Sequence, residues 1–311
     1  MPTGAKMTSV FARRVLVIAA LATITLQSAG GQSNDSKVTT GAKPMAARSA
    51  NAATAADTSD VAKTLKVAAE AVGLARWSGV GGERLPEVDV ISTMEMWGSG
   101  TTYGAGQAYK TEYHAAIGYN PPAMRVEMTR TPAQGGAAQH TLQVVREKYA
   151  WDESEIGAGL IPGKGIATPA ISAANNRLLQ LWILPYGVIK CAIAAGEKTK
   201  VSTENGTTVI TFPLSGQLAG VMVKATLDAQ NEVAKVETRA ENPALADMLT
   251  ETEYSDYADH GEIATDVKSP GHIVRKQGGH PLLDIQVKML DANNPYLVFP
   301  VPENVKKAAA N

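Results

Sequence analysis

The chain has 311 residues, of which 44% are apolar, and its 29 basic residues nearly balance its 30 acidic ones. This apolar content is enough to build a hydrophobic core, so it excludes a chain that is disordered throughout. A formal net charge of -1 produces no field that attracts a polyanion, so the composition does not favour a nucleic-acid-binding protein.

Residues 1–30 have the pattern of a bacterial signal peptide. Arg13 and Arg14 precede an apolar run, Val15–Leu26, and small residues follow, so we expect cleavage near Gly30. The run is too short to span a hydrocarbon layer of about 30 Å, which disfavours a membrane anchor. The residues beside the arginine pair fit a twin-arginine signal badly. We therefore expect a periplasmic or secreted protein without a stable membrane span after cleavage.

Residues 31–57 are rich in Ala, Ser, Thr, Asn and Lys, and the segment predicts a disordered tether because it cannot bury enough apolar surface. We expect a single domain over residues 58–309. The one cysteine, Cys191, excludes an intrachain disulfide and a lipid-modified N-terminus. We interpret it as a small buried apolar group, with a nucleophile as the less favoured alternative.

Three segments have apolar residues at helical spacing and recognisable ends. The first begins at Ser59 or Asp60, either of which can cap a helix, and stops at Gly73. The second covers Ser172–Leu184, and Pro185 opens a third that ends before the glycine at position 196. Each predicted helix is apolar enough to need a covering surface. The apolar residues that show the spacing are Val61, Leu65, Ala68 and Val72 in the first helix and Leu178, Leu181 and Trp182 in the second.

After the first helix the apolar spacing changes to two, which is typical of half-buried strands. Tight turns are predicted at Asn205-Gly206 and near Gln230-Asn231. Sequential antiparallel strands joined by short turns dominate the second half, so the sequence predicts an α+β fold. The predicted strands lie within 88–96, 123–131, 140–153, 200–212, 221–238, 251–257 and 272–290.

The stretch QGGHPLLDIQV places His280 and Asp284 four residues apart, beside two glycines. This spacing admits a catalytic pair. The glycines and Pro281 nevertheless lie between two alternating segments, so we interpret His280 as part of a hairpin tip. Asp284 is then a strand residue on the face opposite Leu283 and Ile285.

The histidines show no metal-binding spacing, because HxH, HExxH and CxxC patterns are absent from the sequence. A metal site assembled from distant residues stays open as an alternative, with Asp259, His260 and His272 as the densest cluster. The five histidines are His114, His140, His260, His272 and His280.

The sequence also lacks complete motifs for phosphate binding, calcium binding and nucleophilic catalysis. The glycine-rich run 156–168 lacks the Lys-Ser or Lys-Thr pair of a phosphate loop, so a plain loop is predicted. The acidic segment 251–262 lacks the spacing of a calcium loop and is interpreted as a solvated strand and turn. No GxSxG or SxxK pattern occurs, although sequence order does not exclude a triad. We therefore predict no catalytic residues, no metal site and no cofactor, and keep a zinc or hydrolytic enzyme as a minority hypothesis.

Methionines occupy neighbouring inward positions of the predicted strands. Methionine adapts its shape at low cost, which suits either an irregular core or a pocket for variable apolar ligands. Ordinary core is the default interpretation. The candidate pocket residues are Met94, Met96, Met124, Met128, Trp182 and Ile189.

Several stretches between about Val61 and Val305 resemble, in order, the N-terminal, non-catalytic part of secreted bacterial hydrolases of the metallo-β-lactamase fold. They are GQAYKTEY, PPAMRVEMTR, KYAWD, LQLWILPYGVIK, NEVAKVETRAENPALADMLTETEYSDYADHG and HIVRKQGGHPLLDIQVKMLDANN. The resemblance implies a strongly curved antiparallel sheet, the half-barrel of periplasmic lipoprotein carriers, that clasps two or three helices. The HxHxDH zinc motif of the hydrolase part is missing, so the resemblance supplies no catalytic role.

Two functional expectations follow from these observations. The first is a non-catalytic, carrier-like module that binds a hydrophobic, lipid-like or acylated ligand on the concave face of the sheet. The alternative is an interaction module that docks on a separately encoded hydrolase or envelope protein through a sheet edge or the turn at residues 260–272.

Overall fold

The computed structural model describes residues 58–77, 84–86, 91–239, 249–259 and 267–310. The predicted signal peptide and tether lie outside the described residues. The helices are α1 (Thr58–Ala71), α2 (Ala174–Trp182), α3 (Pro185–Ala195) and α4 (Glu303–Ala308). The strands are β1 (Ala75–Trp77), β2 (Arg84–Pro86), β3 (Thr93–Gly104), β4 (Gln107–Tyr119), β5 (Pro122–Pro132), β6 (Gln139–Arg146), β7 (Tyr149–Glu153), β8 (Ala167–Pro169), β9 (Lys200–Glu204), β10 (Thr207–Pro213), β11 (Met222–Leu227), β12 (Val233–Arg239), β13 (Leu249–Ser255), β14 (His272–Gln277) and β15 (His280–Ala292).

The three predicted helices form as α1, α2 and α3. Helix α1 buries Leu65 and Ala68 on one side, and Val72, directly after the helix, is buried as well, as the apolar spacing predicts. Pro185 begins α3, and Gly196, with φ of 55°, follows its last residue. Helix α2 is shorter than predicted, because its first residues form a separate turn of 3-10 helix.

Within the described ranges, thirteen strands form one antiparallel sheet in the order β8-β7-β6-β5-β4-β3-β15-β14-β13-β12-β11-β10-β9. Strands β3 to β8 run outward from the middle of the sheet to one edge, and β9 to β15 return from the other edge to the middle. We call these two groups of strands the two arms of the sheet. Helices α2 and α3 connect β8 with β9. They therefore join the two edges of the sheet, and they contact strands of both arms.

The structure confirms an α+β fold dominated by an antiparallel sheet. The predicted strongly curved half-barrel is wrong. The sheet is neither closed nor strongly curled. Closure requires hydrogen bonds between the edge strands, and the edge strands β8 and β9 pair with β7 and β10 instead. Helices α2 and α3 connect β8 with β9 along the chain.

The two arms meet where β3 pairs with β15, and two glycines of β3 make this close approach feasible. A Cβ atom at Gly100 would lie 2.0 Å from the carbonyl oxygen of Asp284. A Cβ atom at Gly98 would lie 2.5 Å from the carbonyl oxygen of Gln286. Both positions therefore require glycine for steric reasons.

The predicted turns are confirmed. Asn205 and Gly206 have φ of 51° and 82° between β9 and β10, and Asn231, with φ of 63°, lies between β11 and β12. Gly278 and Gly279 connect β14 with β15 at φ of 55° and 80°. Positive φ at both central positions is typical of the two-residue turns that match strand twist.

The main core lies between helices α1 to α3 and one face of the sheet. Met124 and Val145 belong to it, whereas their chain neighbours Ala123 and Val144 belong to a second, smaller core. Because neighbouring strand residues point to opposite faces, strands β4 to β7 are covered on both faces. The second face is covered by Phe299 and by Val305 of α4, a packing that we did not predict.

In the described ranges, no single helix has the length and apolar character needed to cross a membrane. The bent pair Ile171–Trp182 and Pro185–Lys198, at 94° to each other, meets the criteria of length and composition only when taken together.

Candidate functional site

A pocket with a volume of about 480 Å³ lies where α2 and α3 meet the ends of several strands. We call it the helix-end pocket. It forms because the β4–β5 turn, the β6–β7 turn and the β10–β11 connection all end beside the two helices. Its lining residues are Tyr119, Asn120, Pro122, Glu147, Leu178, Trp182, Lys190, Cys191, Ala194, Leu214, Ser215, Gly216, Gln217 and Leu218.

The walls of the helix-end pocket are mainly apolar. Leu178 and Trp182 are separated by one turn of α2 and lie on the same side of that helix. Leu214 and Leu218 also line the pocket and are 6% and 5% exposed. The ring of Trp182 lies 5.9 Å from the ring of Tyr119 at an angle of 45°. This tilted aromatic pair joins α2 to the end of β4.

A lysine enters this apolar site from α3. Lys190 is 8% exposed, and its ammonium lies 5.1 Å from the centre of the Tyr119 ring. That separation is within the range of a cation-π interaction, in which the negative face of the ring attracts the cation. A partly desolvated positive charge is thereby held in the pocket wall.

Cys191, the next residue in the pocket wall, has an unreactive thiol. Burial raises the pKa of the Cys191 thiol to about 12, and the neighbouring Lys190 only partly offsets this. The thiol is thus protonated at neutral pH. Because the thiolate is the nucleophilic form, this agrees with the interpretation of Cys191 as a small apolar group.

The hydroxyl of Tyr119 is buried, and no hydrogen-bond partner for it occurs among the described residues. Burial raises the pKa of the Tyr119 phenol, and the neighbouring Tyr254 and Cys191 raise it further. Tyr119 therefore contributes a neutral hydroxyl and the face of its ring to this region.

The structure places the six candidate pocket residues in or against one apolar cluster. Met94, Met96, Met124 and Ile189 are buried core residues, and Met128 packs against them. Of the six, all of which are described, Trp182 lines the helix-end pocket. Ligand binding by the remaining five stays a prediction.

Sequence reasoning missed Lys190, Tyr119 and the lining segment 214–218. A single lysine in the otherwise apolar stretch PYGVIKCAIAA was a usable signal, because a charge there must be paired, exposed or in a cavity. The segment 214–218 carried no comparable signal. Its place in the pocket follows from long-range packing.

Two of the smaller pockets among the described residues lie elsewhere. One of about 390 Å³ lies between α1 and the end of α3, with Leu65 and Ile193 in its walls. Another, of about 260 Å³, lies beside Arg146 and Phe299 at the second core. Lys190 and Trp182 belong to the helix-end pocket, which combines the largest volume of the three with a buried charge.

Three of the described histidines, His114, His140 and His272, pair with carboxylates on the sheet. His114 Nε2 lies 3.2 Å from Glu95 Oε1, and His140 Nε2 lies 2.8 Å from Glu127 Oε1. His114 also stacks on Trp97, with ring centres 4.7 Å apart. Burial acts to raise the pKa of Glu127, but hydrogen bonds from the two histidines outweigh it and lower the pKa.

His272 Nε2 lies 2.7 Å from Asp284 Oδ1, whereas His280 is exposed at the first position of β15, next to the two-glycine turn. The side chain of Asp284 thus points to the face of β15 opposite the one to which the buried Ile285 points, as predicted. His260 lies outside the described residues, so the metal site assembled from Asp259, His260 and His272 stays an untested alternative. Among the residues that the structure describes, no group of three or more His, Cys, Asp or Glu side chains is arranged to hold a metal ion.

Comparisons with known proteins do not assign this chain. No protein-family model matches it. No curated protein sequence matches it either. The resemblance to the non-catalytic part of metallo-β-lactamase-fold hydrolases therefore rests on the sequence stretches alone.

Proposed function

We propose that the protein is a non-catalytic binding module that holds an apolar or acylated small molecule in the helix-end pocket. The observation that carries this proposal is the pocket itself. Its volume of about 480 Å³ falls in the range of about 300–1,000 Å³ that is typical of small-molecule sites. Its apolar walls with a few polar groups match the usual composition of such sites.

The packing around the pocket supports this function. Leu178, Leu214 and Leu218 belong to the same apolar cluster as Met94 and the other buried methionines. Methionine side chains repack readily, so the cluster behind the pocket can adjust to ligands of different shape. On the evidence of the N-terminal sequence pattern, we place this activity in the periplasm or outside the cell.

Binding is testable with N-phenyl-1-naphthylamine, a neutral apolar probe whose fluorescence rises on leaving water. We expect saturable binding by the wild-type protein. Ala194→Trp, which fills the pocket from α3, is expected to weaken binding at least tenfold. Ala137→Trp, in the exposed β5–β6 loop, is the matched control and should leave binding unchanged. Wild-type fluorescence that does not saturate, or equal binding by Ala194→Trp, contradicts the proposal.

A second candidate function, a protein-interaction module, is favoured by the loop 154–166 between β7 and β8. This loop exposes four large aliphatic side chains, and clustered exposed apolar groups mark interaction sites more often than chance. They are Ile156 at 46%, Leu160 at 37%, Ile161 at 58% and Ile166 at 71% exposure.

Site-specific crosslinking separates the second function from the first. A photoreactive amino acid is placed at Ile161 and, as a control, at the exposed Lys110 of β4. In intact cells we expect one discrete adduct from position 161 and none from position 110. Equal, diffuse labelling from both positions would remove the support for an interaction module.

A further inference from the structure

The pocket of about 260 Å³ at the second core combines apolar walls with one basic side chain. We call it the Phe299 pocket. Ala123, Leu297 and Phe299 belong to the apolar part of its wall, and Arg146 is the basic residue. The described residues that line it include no acid. The charge of Arg146 therefore decides which ligands suit this pocket.

The C-terminal segment holds the guanidinium of Arg146 in place. Its Nη1 donates a hydrogen bond to the carbonyl oxygen of Phe299 at 3.0 Å. Arg146 also lies opposite Ala123 in the pairing of β5 with β6, so the sheet fixes the start of the side chain. A guanidinium carries several N–H donors in a planar fork, and the bond to Phe299 leaves donors that can meet a carboxylate.

A second guanidinium contacts Phe299. Arg125 is two residues from Ala123 along β5, so both side chains point to the same face of the sheet. The Cζ atom of Arg125 lies 5.6 Å from the centre of the Phe299 ring, within the range of a cation-π interaction. Within the described ranges Arg125 forms no ion pair. One cation thus lies at the ring of Phe299 and another at its carbonyl.

The neighbouring carboxylates do not neutralise these two arginines. Glu147 Oε2 lies 3.9 Å from Arg146 Nε, which is too long for a hydrogen bond, and the Glu147 side chain is 51% exposed. Such an ion pair is weak, because solvent screens it. Glu127 lies on the face of β5 that carries Arg125, but its carboxylate contacts two histidines instead. The surroundings of the Phe299 pocket therefore stay positive.

We propose that the Phe299 pocket binds a small organic carboxylate, with its anionic group on Arg146 and its compact apolar part against Phe299 and Leu297. A carboxylate matches the planar fork of a guanidinium with two parallel hydrogen bonds. The volume of about 260 Å³ lies below the range of about 300–1,000 Å³ for drug-sized ligands, which favours a compact molecule over a long chain. The inference is independent of binding in the helix-end pocket.

Isothermal titration calorimetry of the full chain at constant ionic strength tests the charge preference. Benzoate, benzyl alcohol and benzylammonium share a compact ring and differ in charge. We expect saturable benzoate binding with a Kd of about 1 mM or lower. Benzyl alcohol should bind at least about tenfold more weakly, because it makes no charge-assisted hydrogen bond, and benzylammonium should be weaker still. Benzoate binding that does not saturate, or equal binding of all three, overturns the proposal.

Arginine variants locate the site. Arg146→Gln should weaken benzoate binding at least about tenfold, because the cation of the pocket is lost. Arg239→Gln removes the same charge from the exposed end of β12 and should leave the affinity unchanged. Wild-type affinity in a folded Arg146→Gln variant contradicts the role of Arg146.

Glu147→Gln supplies the test if Arg146→Gln does not fold. It removes the carboxylate nearest to the guanidinium, so benzoate should bind about twofold more tightly. Weaker or unchanged benzoate binding in this variant counts against the assignment.

The Ala194→Trp variant, which fills the helix-end pocket, separates the two binding proposals. It should bind benzoate as the wild type does, whatever its effect on N-phenyl-1-naphthylamine. Loss of benzoate binding in Ala194→Trp would place benzoate in the helix-end pocket and overturn its assignment to the Phe299 pocket. If the naphthylamine probe does not bind the wild type but benzoate does, the function of the helix-end pocket fails and the carboxylate site stands.

Discussion

At the scale of single residues, the most informative side chain outside the pocket is a buried arginine. Arg177 of α2 is 8% exposed, and its guanidinium donates hydrogen bonds to the carbonyls of Val144 and Trp151 at 3.0 and 2.7 Å. Its second terminal nitrogen lies 2.6 Å from Asp152 Oδ1. These bonds tie α2 to strands β6 and β7.

Arg177→Met should lower the free energy of unfolding by about 2–4 kcal/mol, because three hydrogen bonds of a buried cation are lost. Urea denaturation followed by circular dichroism measures the change. Lys110→Met, at an exposed position of β4, is the control and should shift the same free energy by less than about 0.5 kcal/mol. Equal effects of the two substitutions would show that Arg177 does not anchor the helix.

The burial of a residue was predictable where apolar residues recur at a regular spacing, and it was not predictable elsewhere. The period of two predicts the inward position of Met94, Met96 and Met124, and the structure confirms it. The role of Arg177 was missed, because a polar residue beside Leu178 looks like the solvent face of a helix. Its partners lie at least 25 residues away in the chain.

At the scale of secondary-structure elements, the pairing of β3 with β15 joins the two arms of the sheet. The approach of these strands leaves no room for a side chain at Gly100, whose Cβ would meet the Asp284 carbonyl at 2.0 Å. Gly104, at the end of the same strand, has its nearest neighbour at 4.0 Å from the Cβ position. One strand thus contains a constrained and an unconstrained glycine.

Gly100→Ala should destabilise the fold by about 2–4 kcal/mol, since backbone atoms rather than a flexible side chain must move. Gly104→Ala adds the same methyl group in open space and should change stability by less than about 0.5 kcal/mol. Thermal and urea unfolding of both variants provide the comparison. Wild-type stability in Gly100→Ala would contradict the close packing of β3 against β15.

Hairpins were the elements that the sequence predicted best. Asn205-Gly206 and Gly278-Gly279 favour turns with positive φ, and this preference is local. The pairing of β3 with β15 was not predicted. These strands are separated by most of the domain, and their pairing depends on where the rest of the sheet ends.

At the scale of the whole molecule, helices α2 and α3 hold the two arms of the sheet in place. The Tyr254 hydroxyl of β13 donates to the Ile183 carbonyl at 2.7 Å, between the two helices. The Tyr186 hydroxyl of α3 donates to the Lys268 carbonyl. Burial raises the pKa of both phenols above the ordinary value of 10.0.

The raised pKa values of these two phenols predict that the folded state loses stability at alkaline pH. A raised folded-state pKa means that the stabilisation is complete below about pH 10 and is lost as the pH rises towards the folded-state value. Each such phenol then lowers stability by about 1.4 kcal/mol per pH unit. We expect the late part of the phenolate absorbance at 295 nm to rise together with the loss of far-ultraviolet circular dichroism.

Tyr254→Phe tests the assignment, because it removes one phenol from that shared transition. The late absorbance step of Tyr254→Phe should be smaller than that of the wild type. Once the stability lost with the hydrogen bond to Ile183 is subtracted, the midpoint of alkaline unfolding should lie at higher pH. Measurement of unfolding at pH 7 separates the two effects. Complete phenol ionisation in a chain with native circular dichroism would contradict the burial of these residues.

The sequence by itself determined the class of the fold, its main helices, its hairpin turns and the inward faces of several strands. These features depend on local spacing, on capping residues and on backbone preferences of glycine and asparagine. Tertiary structure decided that the sheet stays open, that α2 and α3 join its edges, and that Lys190 lies in the wall of an apolar pocket. Each of these depends on contacts between residues far apart in the chain, which no local pattern specifies.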